Sequence, residues 1–173
     1  MKERELDFVH IELKRDSWLN PQIKANNVEA AVRAVQNAVC NLDREMMVAL
    51  FLTEKCRVID GAICSIGVSN KTFISEIEIM RIGLLSGASR IILLHNHPSG
   101  CCEPSKEDLY AAKKVATAGW LMDLQLLDFI IVGDDAVYSV CEQADEWLQP
   151  DAEILQKFGC GIGIVKGEDE CEE

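Results

Sequence analysis

Two of the three histidines in this chain stand two positions apart, at His95 and His97, directly after an apolar run. Imidazole is the commonest metal-ligating side chain, and a β-strand places residues i and i+2 on the same face. If the strand that starts at Arg90 continues through His97, both rings face one side and can reach a single ion. Pro98 then ends the ladder, having no N–H to donate, and Ser99–Gly100 supply a turn. Asp108 is the natural third ligand. Ser105 follows a proline and precedes a helical pattern, so it reads as an N-cap with Asp108 in the first turn. A carboxylate there sits near the positive helix end, stays ionised and can face back across the loop. Two His and one Asp leave a coordination place open, which is the arrangement of catalytic rather than structural zinc. Water in that place has its pKa lowered to about 7, so a hydroxide nucleophile is available at neutral pH.

Such a centre also needs a proton acceptor that is not a ligand. Glu45 is the candidate: it stands at the entrance of the most apolar segment of the chain, EMMVALFLT. If that segment neighbours the His strand, Glu45 can take the water proton and pass it to a leaving amine. Ser105 could hydrogen-bond the oxyanion formed on the attacked carbonyl. Taken singly, each feature has an ordinary meaning. His-x-His pairs occur on surfaces, Ser-x-x-Asp is a common capping box, and a glutamate can simply end a strand. The order strand, His-x-His-Pro, tight loop, Pro-Ser-x-x-Asp, helix is what makes a metal site of them.

The elements around these residues can be read from periodicity. Val28, Ala31, Val32, Val35, Val39 and Leu42 recur at helical spacing, with Asn26 or Asn27 as N-cap. Glu45–Thr53 suits a strand buried on both faces, with a hairpin or meander partner across Lys55–Val68. Residues 72–87 form a helix stopped at Gly87, Arg90–Leu94 a strand, and Ser105–Ala118 a helix. Asp128–Gly133 and Ala136–Val140 are strands around a turn at Asp134–Asp135. A short helix with Trp147 and Leu148 packed inward follows. Strands and helices mixed without regular alternation indicate an α/β sandwich or α+β sheet rather than a doubly wound one. We divide the chain into an N-terminal arm (1–25, with a short strand near Phe8–Leu13), a metal-binding domain (26–150) and a glycine-rich acidic tail (151–173).

Composition narrows the function. The formal net charge is −12, from 29 acidic against 17 basic residues, which disfavours a phosphate-binding surface and direct nucleic-acid contact. No signal-peptide core or membrane-length apolar stretch is present, so a cytoplasmic protein is expected. The eight cysteines are scattered without a CxxC pair and read as reduced thiols, Cys40 and Cys64 among the buried ones. Cys101–Cys102, inside the proposed metal loop, could capture a soft ion or be oxidised, but read rather as tolerated substitutions in a variable loop. His10 reads as an ordinary surface residue. A zinc deaminase is set aside, since that chemistry uses His-x-Glu with Pro-Cys-x-x-Cys.

With these motifs in place, the sequence resembles the JAB/MPN family of zinc metalloproteases, the JAMM group, and most closely its RadC-like branch. The upstream Glu45, His95-x-His97-Pro98, Ser105 and Asp108 match the family's pattern. HNHPSG with PSKED, REMMVALFLTEKCRVI and LLDFIIVGDDAVYSV match the branch, together covering roughly residues 27–140. The resemblance implies a layered, cytidine-deaminase-like α/β fold: a mixed, curved β-sheet flanked by helices, with the metal at one edge. It implies Zn2+ on His95, His97 and Asp108, and hydrolysis of a peptide or isopeptide bond in a peptide or protein substrate. The branch often carries a helix-hairpin-helix segment ahead of this domain; nothing here resembles it, and we discount the glycines of GCGIG at 159–163. Because the branch is traditionally labelled DNA repair, the alternative is a protein-binding module in DNA repair or mobile-element biology, with a structural or vestigial metal site. The negative charge would route any such role through protein partners.

Overall fold

A computed structural model describes residues 23–39, 44–66 and 75–157. Phe8–Leu13, His10, Cys40, Leu42 and the glycines of GCGIG lie outside the described residues. Helix α1 spans Val28–Val39, followed by strands β1 (Met46–Leu52) and β2 (Val58–Ile66) and helix α2 (Glu76–Leu85). Strand β3 (Arg90–Asn96), helix α3 (Lys106–Leu121) and strands β4 (Gln125–Val132) and β5 (Val137–Ser139) complete the sheet region. Two short helices, α4 (Val140–Gln143) and α5 (Ala152–Lys157), enclose a 3-10 turn at Asp145–Leu148. The five strands form one sheet in the order β2-β1-β3-β4-β5. Only β3 and β4 pair in parallel; the other three pairings are antiparallel. The chain is α/β, a mixed sheet flanked by helices, as expected.

The continuous apolar run of β1 has its reason in this order. All seven β1 residues are buried, and they alternate between two cores. Met47, Ala49 and Phe51 join Ile79, Ala112 and Val115 beneath α2 and α3, while Val48, Leu50 and Leu52 join Ala31 and Val35 of α1. Strand β3 divides in the same way. Ile91 and Leu93 face the α2–α3 side, Ile92 and Leu94 the α1 side. Side-chain alternation therefore sends His95 with Ile91 and Leu93, and Asn96 with Ile92 and Leu94.

Local chemistry fixes the helix ends. Asn27 Oδ1 accepts from Ala30 N at 2.8 Å, capping α1. Gly87, at φ 65°, closes α2. Ala88 N bonds Gly83 O and Gly87 N bonds Leu84 O, a Schellman pair that needs a left-handed residue there. Strand β4 begins at Gln125, earlier than the Asp128 expected, and Val140 starts a helix instead of ending a strand. Ile23–Ala25 of the assigned arm already dock on the domain, through Val58 N to Ile23 O at 3.0 Å and Ala25 N to Cys56 O at 2.9 Å. The first part of the assigned tail contains α5, whose Leu155 is buried. Among the described residues no helix is long and apolar enough to cross a membrane.

Candidate metal centre

The sequence candidates meet at the carboxyl end of β3, against the first turn of α3. His95 pairs with Met47 of β1 and Ile131 of β4, and its ring stacks on Phe129 at a centroid distance of 6.4 Å. The ladder closes two residues later, with His97 N bonded to Val132 O at 2.9 Å; Pro98 can add no further rung. The two imidazoles stand edge to face, 4.8 Å apart.

Asp108 arrives from the other side of the loop. Ser105 caps α3, accepting from Asp108 N at 3.1 Å, and both Ser105 N and Ser105 Oγ donate to Asp108 Oδ2, at 2.9 and 2.6 Å. This reciprocal capping box turns the carboxylate toward the histidines. Oδ1 lies 3.2 Å from His95 Nδ1 and Oδ2 lies 3.4 Å from His97 Nε2. Burial pushes the Asp108 carboxyl up, but the two imidazoles and the Ser105 donors prevail and hold it well below the usual carboxylate range. The adjoining Asp108 carboxylate raises the His97 imidazole, against the opposing effect of burial.

One ligand atom from each of His95, His97 and Asp108 can be chosen so that all lie within 4.8 Å of one another. The donor set suits a divalent zinc ion, and two details of the structure fit one. Both ring nitrogens of His95 are buried without a hydrogen-bond partner. The 3.2 Å approach of Nδ1 to Asp108 Oδ1 does not meet hydrogen-bond geometry. A buried polar atom left unpaired costs about 1–3 kcal/mol, which coordination would remove. His97 is oriented through its other nitrogen, with Nδ1 2.8 Å from Cys101 O. An Nδ1–H donated there leaves the Nε2 lone pair to a metal, the usual outer support of a histidine ligand.

Glu45 lies just before β1, with Oε2 3.9 Å from His95 Nε2 and a side chain 27% exposed. It is near the cluster, outside the ligand set, and accessible to water. Ser105 is placed differently from a free oxyanion donor, since its O–H is directed at Asp108 Oδ2.

Two supporting residues escaped the sequence analysis. Gly133 lets the β4–β5 turn press on the metal loop, where Asp134 N meets Gly100 O at 3.3 Å. Asn96, between the two histidines, is buried and bonds the backbone on either side of Glu45. Its signal was an amide following the aliphatic Ile92 and Leu94 on one strand face. Cys101 and Cys102 are free thiols, as are Cys56, Cys64 and Cys141; burial pushes the Cys64 thiol up to about 12.

The chain matches the model of the RadC-like JAB domain over residues 25–146, and it belongs to that family. Among its curated relatives is a UPF0758 protein of Photobacterium profundum, 40% identical over 105 residues, which are 61% of this chain and 46% of the relative. A UPF0758 protein of Pseudomonas savastanoi pv. phaseolicola is 34% identical over 132 residues, 76% of this chain and 56% of the relative. That of Haemophilus influenzae is 34% identical over 130 residues, 75% and 58% respectively. The chain spans about half the length of the curated relatives it matches.

Proposed function

We propose that the protein is a zinc-dependent hydrolase that cleaves a peptide or isopeptide bond in a peptide or protein substrate. The observation that carries this reading is the convergence of three ligand atoms within 4.8 Å beside a carboxylate, Glu45, that is not one of them. Zinc held there would supply an acidified water and a Lewis acid for the scissile carbonyl. His95, His97 and Asp108 are assigned as its ligands, with Cys101 O and Ser105 as the groups that orient two of them. Glu45 Oε2 is assigned as the general base: it accepts a proton from the attacking water and returns it to the leaving amine. Ser105 orients Asp108; donation to an oxyanion would require its O–H to leave Oδ2. A cytosolic, reducing setting belongs to the same proposal, in keeping with free thiols at five described positions.

Zinc-loaded protein would be screened against tagged peptide and isopeptide substrates beside Glu45→Gln. Cleavage by the wild type, lost in Glu45→Gln while zinc stays bound, supports the proposal. No cleavage of any substrate, with tight binding of a protein partner that is indifferent to Glu45→Gln, would favour the module instead.

A further inference from the structure

We infer that Asn96 is a positioning residue for the general base, a role that rests on the assignment of Glu45 above. The residue is 5% exposed and sits on the α1 side of β3, where its neighbours Ile92 and Leu94 are aliphatic. An amide buried among such groups is unfavourable unless both of its ends are bonded. Both are. Asn96 Oδ1 accepts from Met46 N at 2.7 Å, and Asn96 Nδ2 donates to Arg44 O at 3.0 Å. The two bonds clamp the peptide groups immediately before and immediately after Glu45.

The clamp lies where the backbone ladder stops. Pairing of β1 with β3 runs from Leu52↔Arg90 to Met47↔His95 and goes no further. At the next rung Met46 N–H is taken by the Asn96 side chain, which is longer than a backbone carbonyl. Residues 44–46 are thus held one side-chain length away from β3 and still tied to it. Glu45, in the middle of that segment, keeps its carboxylate 3.9 Å from His95 Nε2 without joining the ladder. The strand's period makes the arrangement compact: His95 and His97 project to one face to serve as ligands, and the residue between them projects to the other to hold the base. Only a side chain with an acceptor and a donor on one short planar group can make both bonds. Aspartate keeps the shape but not the donor, and alanine keeps neither.

Asn96→Asp and Asn96→Ala test this in the full chain, with the isosteric aspartate available should alanine fail to fold. We expect either variant to keep one zinc per chain and to lose about 10–100-fold in kcat with KM nearly unchanged, as for a displaced catalytic group. Amide hydrogen exchange at Met46 should rise at least about tenfold in Asn96→Ala, which removes the acceptor Oδ1, whereas Asn96→Asp keeps that acceptor and loses only the bond to Arg44 O. An unchanged kcat would reduce Asn96 to a structural anchor and overturn the inference, and so would loss of zinc in step with kcat. If the wild type cleaves nothing, the function proposed above fails. Met46 exchange in the zinc-loaded protein then decides alone: unaltered protection in Asn96→Ala sinks the clamp.

Discussion

Replacing Gly133 by alanine should damage the metal centre without touching a ligand. A Cβ built there would lie 2.3 Å from Gly100 O, 3.1 Å from Gly100 C and 3.2 Å from Cys102 N. All three are backbone atoms, so no side chain can swing aside. Ordinary contact begins at 3.4 Å, and the shortfall at Gly100 O means a displacement of about 1 Å of the loop or of β4. The loop is the softer of the two, and it carries His97 and its orienting acceptor Cys101 O. Overpacking of this kind costs about 1–3 kcal/mol of stability. Loss of the outer support of a ligand costs roughly 10–100-fold in metal affinity. Gly87→Ala is the control: Gly87 has φ +65° and no neighbour within 4 Å of the added Cβ. That change should cost about 1–2 kcal/mol through left-handed backbone strain and leave zinc affinity alone. Zinc affinity measured by chelator competition, beside urea unfolding, separates the cases. A Gly133→Ala protein that binds zinc within about twofold of the wild type would refute the buttress.

Three further outcomes follow from individual contacts. Ser105→Ala removes the α3 cap and two of the contacts on Asp108; urea unfolding should show a loss of about 1–2 kcal/mol and chelator competition a weaker zinc site. Asp128, buried at the centre of bonds from Phe129 N, Ser139 Oγ and Cys141 N, should respond differently to its two nearest substitutions. Alanine orphans those donors and should cost several times about 1 kcal/mol, whereas asparagine retains an acceptor and a partner for Ser139 and should cost far less. Burial raises the Asp128 carboxyl above 3.8, so the folded state holds that proton more tightly than the unfolded chain. Its contribution to stability is therefore present below pH 3.8 and lost as pH rises through the folded value. Stability curves of Asp128→Asn should lack this component, and identical pH slopes in the two proteins would contradict it.

Much of this was legible because the informative residues are local. The seven-residue apolar run of β1 announces a central strand, since only a strand covered on both faces buries every position. His95 and His97 are linked by strand period, and Ser105 with Asp108 by helix-cap spacing, so their geometry follows from short-range rules. What was hidden depends on contacts distant in sequence. The start of β4 at Gln125 was missed because Asp128 interrupts its apolar pattern, and Asp128 is tolerated inside only through partners from residues 139–141. Ile23–Ala25 were assigned to an arm because nothing in those residues foretells pairing with Cys56 and Val58. Asn96 is simply the x of His-x-His in the sequence. Its partners lie about fifty residues earlier, and only the sheet order brings them alongside.

The most direct check is the zinc content of purified protein by elemental analysis, for the wild type, His95→Ala, His97→Ala, Asp108→Ala and Glu45→Gln. One zinc per chain is expected in the wild type and in Glu45→Gln, and a collapse toward none in each of the other three. Equal zinc in all five proteins, or none in a wild type supplied with the ion, would contradict it.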